Sequence, residues 1–381
     1  MNPVNWYTRY TEGRLFGRYV TLRHIEPLLK KYTLQFGLSE IGTSGFNKPI
    51  YCIKMGSGGK KVLAWSQMYG NESTTTKAIF DFLKFMSATK ESCAGTISFL
   101  KTHTLYIIPM LNPDGAAVYT RENGNRVDLN RDAKNLSQAE SRALRDVFEK
   151  TGPDLCLNLH GQRTLYSLPG GKPATVSFLA PAVGTDGSAP PARRAAMHHI
   201  ERINAVLQTV IPSQVGRYDG AFDPNCVGDQ FQMAGVPTLL FEAGHYQNDY
   251  AREKTRGFVF LALCALFQLG DIPVINSKLI SYGKIPKNGK RFFDVVLKNC
   301  SSRDREGLFS IGIRYDEVLL GGKINFIPKI AAIGNTRDYL GHKTHDCKGQ
   351  EILMNIHKKT IEDKNIAKIF YKNTVNTVNL I

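Results

Sequence analysis

The sequence predicts an α/β fold: a mixed sheet layered between helices, followed by a small β-rich region. Three observations carry this. Between about residues 50 and 270, short apolar runs alternate with stretches whose apolar residues recur at helical spacing. Polar clusters follow directly on several of the apolar runs. Beyond Pro273 the texture changes to short strand-like pieces broken by Gly, Asn and Lys. Strands separated by helices favour a parallel or mixed sheet with helices on both faces.

Taken in order, Lys61–Met68 reads as a buried strand that ends at Tyr69-Gly70-Asn71, and Ala78, Ile79, Phe82, Leu83 and Met86 mark the helix after it. Thr104–Met110 is the next strand, and a polar stretch from Asn112 to Asn135 follows, opening on an Asn-Pro-Asp-Gly turn. Ser137-Gln138-Ala139-Glu140 has the form of a capping box before the stripe of Leu144, Val147 and Phe148, and Gly152-Pro153 ends that helix. Asp154–Leu159 is a short strand stopped at His160-Gly161. Met197, Ile200, Ile203, Leu207 and Val210 define a long amphipathic helix. Val236–Phe241 is a strand running into Glu242, and a buried helix follows from about Thr255 to Gly270. The expected organisation is a catalytic domain over 1–272 and a small basic β-rich region over 273–381.

Composition narrows the function classes. With 381 residues, 42% hydrophobic and 22% charged, the chain is globular rather than disordered. Its longest apolar run, Phe258 to Phe267, is far short of the roughly 20 residues that cross a bilayer, so no membrane partner is expected. Met1–Tyr7 lacks a basic start followed by an apolar stretch. The seven cysteines are odd in number and form no Cys-x-x-Cys, which implies neither a disulfide scaffold nor a zinc knuckle. A reduced, cytoplasmic protein is the expectation. From Ile275 onward there are 19 Lys and Arg against 10 Asp and Glu, +9 of the net +16. These cations are spaced singly, as on a solvated surface, which argues against a nucleic-acid partner.

Chemistry collects after the strands, where open α/β sheets form ligand sites. Glu72 follows the first strand, His160 another and Glu242 a third. Carboxylate and imidazole suit zinc, although singly Glu72 also reads as a first-turn helix charge and His160 as a hydrogen-bonded structural histidine. Asn130 and Arg131 set an amide beside a guanidinium fork, suited to a carboxylate, although a loop arginine is also simply a surface charge.

Read together, Gly70-Asn71-Glu72, Asn112-Pro113-Asp114-Gly115, Asp128-Leu129-Asn130-Arg131-Asp132, Asn158-Leu159-His160 and Phe241-Glu242-Ala243-Gly244-His245 resemble the zinc metallocarboxypeptidases of the carboxypeptidase A and B type, over roughly residues 40 to 270. The resemblance implies a mixed, mainly eight-stranded sheet and a Zn2+ cofactor at the strand ends. It implies zinc ligation by Glu72 and His160, and Glu242 as general base. Arg121 would polarise the scissile carbonyl, and Asn130 and Arg131 would bind the substrate's terminal carboxylate. Tyr218 is the candidate for the tyrosine near that carboxylate. The expected activity is hydrolysis of an amide bond next to a free carboxylate, in a peptide or an acyl-amino acid.

One position departs from the pattern. Where the family's first zinc ligand is a histidine, this chain has Tyr69. A phenol with a pKa near 10 is a poor ligand unless the metal deprotonates it. Three readings stay open: Tyr69 as an unusual ligand, a weakened enzyme, or an inactive relative that binds a peptide end. A deacylase or amidase of the same superfamily is a further alternative.

Overall fold

The computed structural model describes residues 3–218, 220–273, 275, 279–303, 305–334, 339–356, 366–371 and 377–378. It divides into two compact units, one of residues 1–162 and 174–288, the other of residues 163–173 and 289–381.

The first unit is built on an eight-stranded sheet. Its strands are β1 (Gly37–Thr43), β2 (Pro49–Gly56), β3 (Lys60–Ser66), β4 (His103–Ile108), β5 (Leu155–Gly161), β6 (Val176–Leu179), β7 (Val215–Arg217) and β8 (Thr238–Ala243). They lie in the order β1-β2-β4-β3-β5-β8-β6-β7. The four central strands β4, β3, β5 and β8 run parallel, β1 and β2 add antiparallel on one side, and β6 pairs antiparallel with β8 on the other. The expected mixed sheet of eight strands is the one observed.

Helices cover both faces: α1 (Pro3–Thr8), α2 (Leu22–Thr33), α3 (Thr74–Thr89), α4 (Ala94–Thr102), α5 (Pro113–Val118), α6 (Ala139–Thr151), α7 (Pro191–Leu207), α8 (Val227–Met233) and α9 (Glu253–Phe267). The period of two along each strand sorts side chains between two cores. Val62 and Ala64 of β3 join Phe80 and Leu83 of α3, Ile203 of α7 and Phe260 of α9 on one face. Leu63 and Trp65 join Leu144 and Phe148 of α6 and Phe231 of α8 on the other. A buried ion pair ties the first core together: Arg256 of α9 donates to both oxygens of Asp81 of α3, which also accepts from the Tyr7 hydroxyl and the Glu12 amide.

Two local expectations are corrected. The Asn-Pro-Asp-Gly segment opens a short helix, α5, rather than forming only a turn. Asn112 caps it by accepting from the Gly115 amide at 2.8 Å, and Pro113 occupies the first position, where no amide hydrogen is required. The capping box at Ser137–Glu140 does not form: Gln138 is the N-cap, and its side chain accepts no hydrogen bond from the first turn. The Ser137 amide and hydroxyl bind Asp132 instead, and the Glu140 carboxylate is drawn inward to the Gly45 amide and the Asn123 side chain.

The second unit carries a four-stranded sheet of β9 (Phe292–Ser302), β10 (Arg305–Leu320), β11 (Lys323–Gly334) and β12 (Leu340–Asp346), in the order β11-β10-β9-β12. β12 lies parallel to β9, and the other pairs are antiparallel. Val295, Leu297, Phe309, Ile311 and Ile313 form its core with Cys300 and Cys347.

Candidate active site

The site is assembled where β3, β5 and β8 end. After β3 the chain turns sharply at Gln67, in the left-handed region at φ 49°. The Gln67 side chain donates to the Val20 and Gly70 carbonyls, and Asn71 donates to the Thr120 carbonyl at 3.1 Å. Gly70 is required here: a Cβ at this position would lie 2.0 Å from the backbone carbon of Gly115. This loop sets Tyr69 and Glu72 just ahead of α3, whose N-cap is Ser73, so Glu72 precedes the helix rather than beginning it.

Alternation along β5 sends Leu155, Leu157 and Leu159 to one core, and Cys156, Asn158 and His160 to the opposite face. The parallel register pairs His160 with Glu242 of β8, so the two side chains stand side by side. His160 Nδ1 lies 3.0 Å from Glu72 Oε2, which also accepts from the Gly161 amide at 2.9 Å. Glu242 Oε2, His160 Nε2 and both side-chain polar atoms of Asn158 are buried with no hydrogen-bond partner among the described residues. Burial and the Glu72 carboxylate push the Glu242 carboxyl well above its ordinary range, against the opposing pull of Arg121.

Tyr69 is buried in the middle of this group. Its ring centroid is 4.9 Å from that of His160, and Arg121 Cζ lies 3.5 Å from its ring centroid. The Arg121 guanidinium also donates to the Tyr69 hydroxyl, and its Nε and Nη2 bind Asp128 at 3.1 and 3.0 Å. Burial raises the Tyr69 phenol above its ordinary pKa, more than the neighbouring Arg121 lowers it.

The Asp128–Asp132 segment forms a 3-10 turn, Leu129–Arg131, capped by Asp128 accepting from the Asn130 amide. The Asn130 side chain accepts from the Val227 amide at 3.2 Å and sits near enough to the Tyr69 phenol to pull its pKa down. Arg131 reaches the other way: Nε binds Asp223 at 3.0 Å, and Nη1 donates to the Asn130 carbonyl and to Cys226 Sγ. Thus Tyr69, Glu72, His160, Glu242, Arg121 and Asn130 form one connected group, and Arg131 extends it toward Asp223. Tyr218 follows β7 at the sheet edge, its amide donating to the Phe178 carbonyl.

Sequence reasoning gave no role to Asp128, Asn158 or Asp223. Asp128 stood within a motif already quoted, where an acidic residue seven positions from Arg121 was the available signal. Asp223 lies far from Arg131 in the chain, and no spacing connects them.

The chain belongs to the zinc carboxypeptidase family (peptidase M14), which it matches over residues 22–226, more than half its length. Members of this family are zinc-dependent peptide hydrolases. A carboxypeptidase 2 from Trichophyton rubrum is 25% identical over 103 residues, 26% of this chain and 19% of the relative. The chain thus spans about a fifth of the length of the curated relatives it matches. The metallo-carboxypeptidase of Burkholderia cenocepacia is similar in fold at 19% identity and a TM-score of 0.53, covering 65% of this chain and 68% of that one. A Pseudomonas aeruginosa metallo-carboxypeptidase, solved in complex with (2-guanidinoethylmercapto)succinic acid, aligns at 18% identity and a TM-score of 0.52, covering 65% and 69%. Among the described residues no helix is long and apolar enough to cross a membrane.

Catalytic zinc sites usually take three protein ligands. Among the described residues no group of three His, Cys, Asp or Glu side chains is placed to hold a metal. Glu72 and His160 supply two donors. The third position is a phenol with a raised pKa, already engaged by Arg121. This donor set does not fit a three-ligand zinc site.

Proposed function

We propose that this chain binds the free carboxylate end of a peptide or acyl-amino acid through Asn130 and Arg131, and that Tyr69 leaves the neighbouring hydrolytic centre attenuated. The observation that carries this reading is the engagement of the Tyr69 hydroxyl by Arg121. That contact ties up two groups at once: the residue at the position of the family's first ligand, and the cation that would face a substrate carbonyl. Arg131, the cation of the clamp, has its own partners, Asp223 and Cys226. Arg131 offers a partly exposed guanidinium suited to bidentate capture of a carboxylate. Tyr218 is assigned to the same end of the substrate.

A second reading keeps full hydrolysis, and one observation favours it: Glu242 has a buried carboxyl oxygen with no hydrogen-bond partner among the described residues. There Glu242 would take a proton from water and pass it to the leaving amine, with Arg121 facing the developing oxyanion. Peptidase, deacylase and amidase are then separated by the acyl group accepted.

One experiment decides between the readings. Zinc content after dialysis against metal-free buffer is measured for the native chain and for Tyr69→His, alongside turnover of a peptide and an acyl-amino acid. We expect little retained zinc and little turnover in the native chain, and a gain of both in Tyr69→His. About one zinc per native chain, with turnover that Glu242→Gln abolishes, overturns the attenuated reading in favour of the second.

A further inference from the structure

Two thiols stand together in the second unit. Cys300 in β9 and Cys347 just after β12 are 0% and 1% exposed, and their Sγ atoms are 3.3 Å apart. The backbone holds them in place. β9 and β12 run in parallel register with Lys298 opposite Asp346, and the Cys347 amide donates to the Lys298 carbonyl at 2.8 Å. Both sulfurs face the apolar core formed by Val295, Leu297, Phe309 and Ile311. A disulfide bond is about 2.05 Å long, so a gap of roughly 1.3 Å separates this pair from a covalent link. The spacing of the seven cysteines in the sequence contains no sign of the pair; only the parallel pairing of β9 with β12 brings it together.

We propose that Cys300 and Cys347 are a redox-dependent cross-link, a disulfide when the chain folds in the presence of a disulfide oxidant and a dithiol when it folds under reducing conditions. The oxidant is a small-molecule disulfide such as oxidised glutathione, or an oxidoreductase carrying a disulfide. One cysteine thiolate attacks the oxidant's disulfide, forming a mixed disulfide and releasing one thiol. The second cysteine displaces the other, so that an S–S bond forms in the protein, and two electrons and two protons end on the two thiols of the reduced oxidant. The exchange belongs to folding, before the sheet closes. In the folded unit both sulfurs are inaccessible, and the hydrogen bond to Cys347, with burial, holds the Cys300 thiol far above its ordinary range.

The link has a definite structural effect. Among the described residues β12 is an edge strand, paired within its sheet with β9. A bond from β9 to the residue after β12 fixes that edge covalently and closes the unfolded chain between them into a loop, lowering its entropy.

The test folds the reduced, denatured full chain in a glutathione redox buffer and, separately, in dithiothreitol. Remaining thiols are alkylated under denaturing conditions, and the protein is mapped by peptide mass spectrometry. In glutathione we expect one dominant linked peptide joining Cys300 to Cys347, lighter by two hydrogens than the sum of its reduced parts. In dithiothreitol both cysteines should be alkylated. Protein folded in glutathione should melt at a higher temperature than protein folded in dithiothreitol, and Cys300→Ala should show no such difference. Full alkylation of both residues after oxidative folding overturns the proposal, as does linkage of Cys300 to the other cysteines as often as to Cys347. The mapping uses the native sequence, so the proposal stays testable even if the variant does not fold. Because the pair reports its redox surroundings, its state in protein isolated under acid quench also tests the cytoplasmic, reduced expectation drawn from the sequence.

Discussion

In the carboxylate clamp we propose, Arg131 is already occupied by Asp223, and this sets a measurable penalty on ligand binding. A carboxylate approaching Arg131 must displace the Asp223 Oδ2 contact at 3.0 Å. The two side chains are 47% and 33% exposed, so their pairing has the strength of a surface ion pair, about 0.2–1 kcal/mol. Replacing Asp223 by Asn removes the competing charge. It also retains the side-chain oxygen that accepts from the Asn225 amide, so the turn is preserved. A peptide with a free C-terminus should then bind about 1.4- to 5-fold more tightly, the same energy converted to affinity. The C-terminally amidated peptide should bind as before. Calorimetric titration of both peptides measures the difference, and added salt should shrink it, because the pair is exposed. Equal changes for the two peptides, or weaker binding of the free acid, would refute the competition.

Other outcomes follow from the same geometry. Arg131→Ala should weaken binding of the free acid by about ten- to hundredfold, as expected for charge-assisted bonds of about 1.5–3 kcal/mol, and barely affect the amide. Asp81→Ala takes the buried counter-charge from the Arg256 guanidinium, leaving it Glu253 and the Leu15 and Glu12 carbonyls, and should lower unfolding free energy in urea by about 3–5 kcal/mol. The Asp229 carboxyl is pushed up to about 6, chiefly by burial. The folded state therefore favours its protonated form, and Asp229 subtracts more from stability as pH rises from about 4 through 6. Asp229→Asn should match the native urea midpoint near pH 4 and exceed it at pH 7; an equal gap at both values would contradict the assignment.

The legible parts of the fold were those written in short range. β3, β5 and β8 are buried on both faces and so appear as continuous apolar runs, and α3, α7 and α9 show helical spacing. β1 was not recognised, because its residues are mostly half-exposed and its pairing with β2 contains a bulge. β7 has three residues, too few for a pattern. The Ser137–Glu140 box has the correct residues for a cap, but Asp132 and the Gly45 amide compete for them, and only the tertiary fold brings those groups near. Within the site, Glu72, His160 and Glu242 were readable because each sits in a short motif at a strand end. The contacts that alter their chemistry, Arg121 on Tyr69 and Asp223 on Arg131, join residues 52 and 92 positions apart. No local pattern encodes contacts at such distances.

The meeting of Gly70 with the backbone of Gly115 has a consequence for how this site changes. The course of the loop from Gln67 to Glu72 is held by the Gln67 side chain, by the Asn112 bond to the Met68 carbonyl and by the Asn71 amide. None of these involves the side chain of residue 69. The scaffold therefore specifies where that side chain starts and leaves open what it is. Position 69 is an interchangeable fitting in its socket: on the proposed reading, one residue there decides between a donor that completes Glu72 and His160 and the phenol that rests on the Arg121 guanidinium.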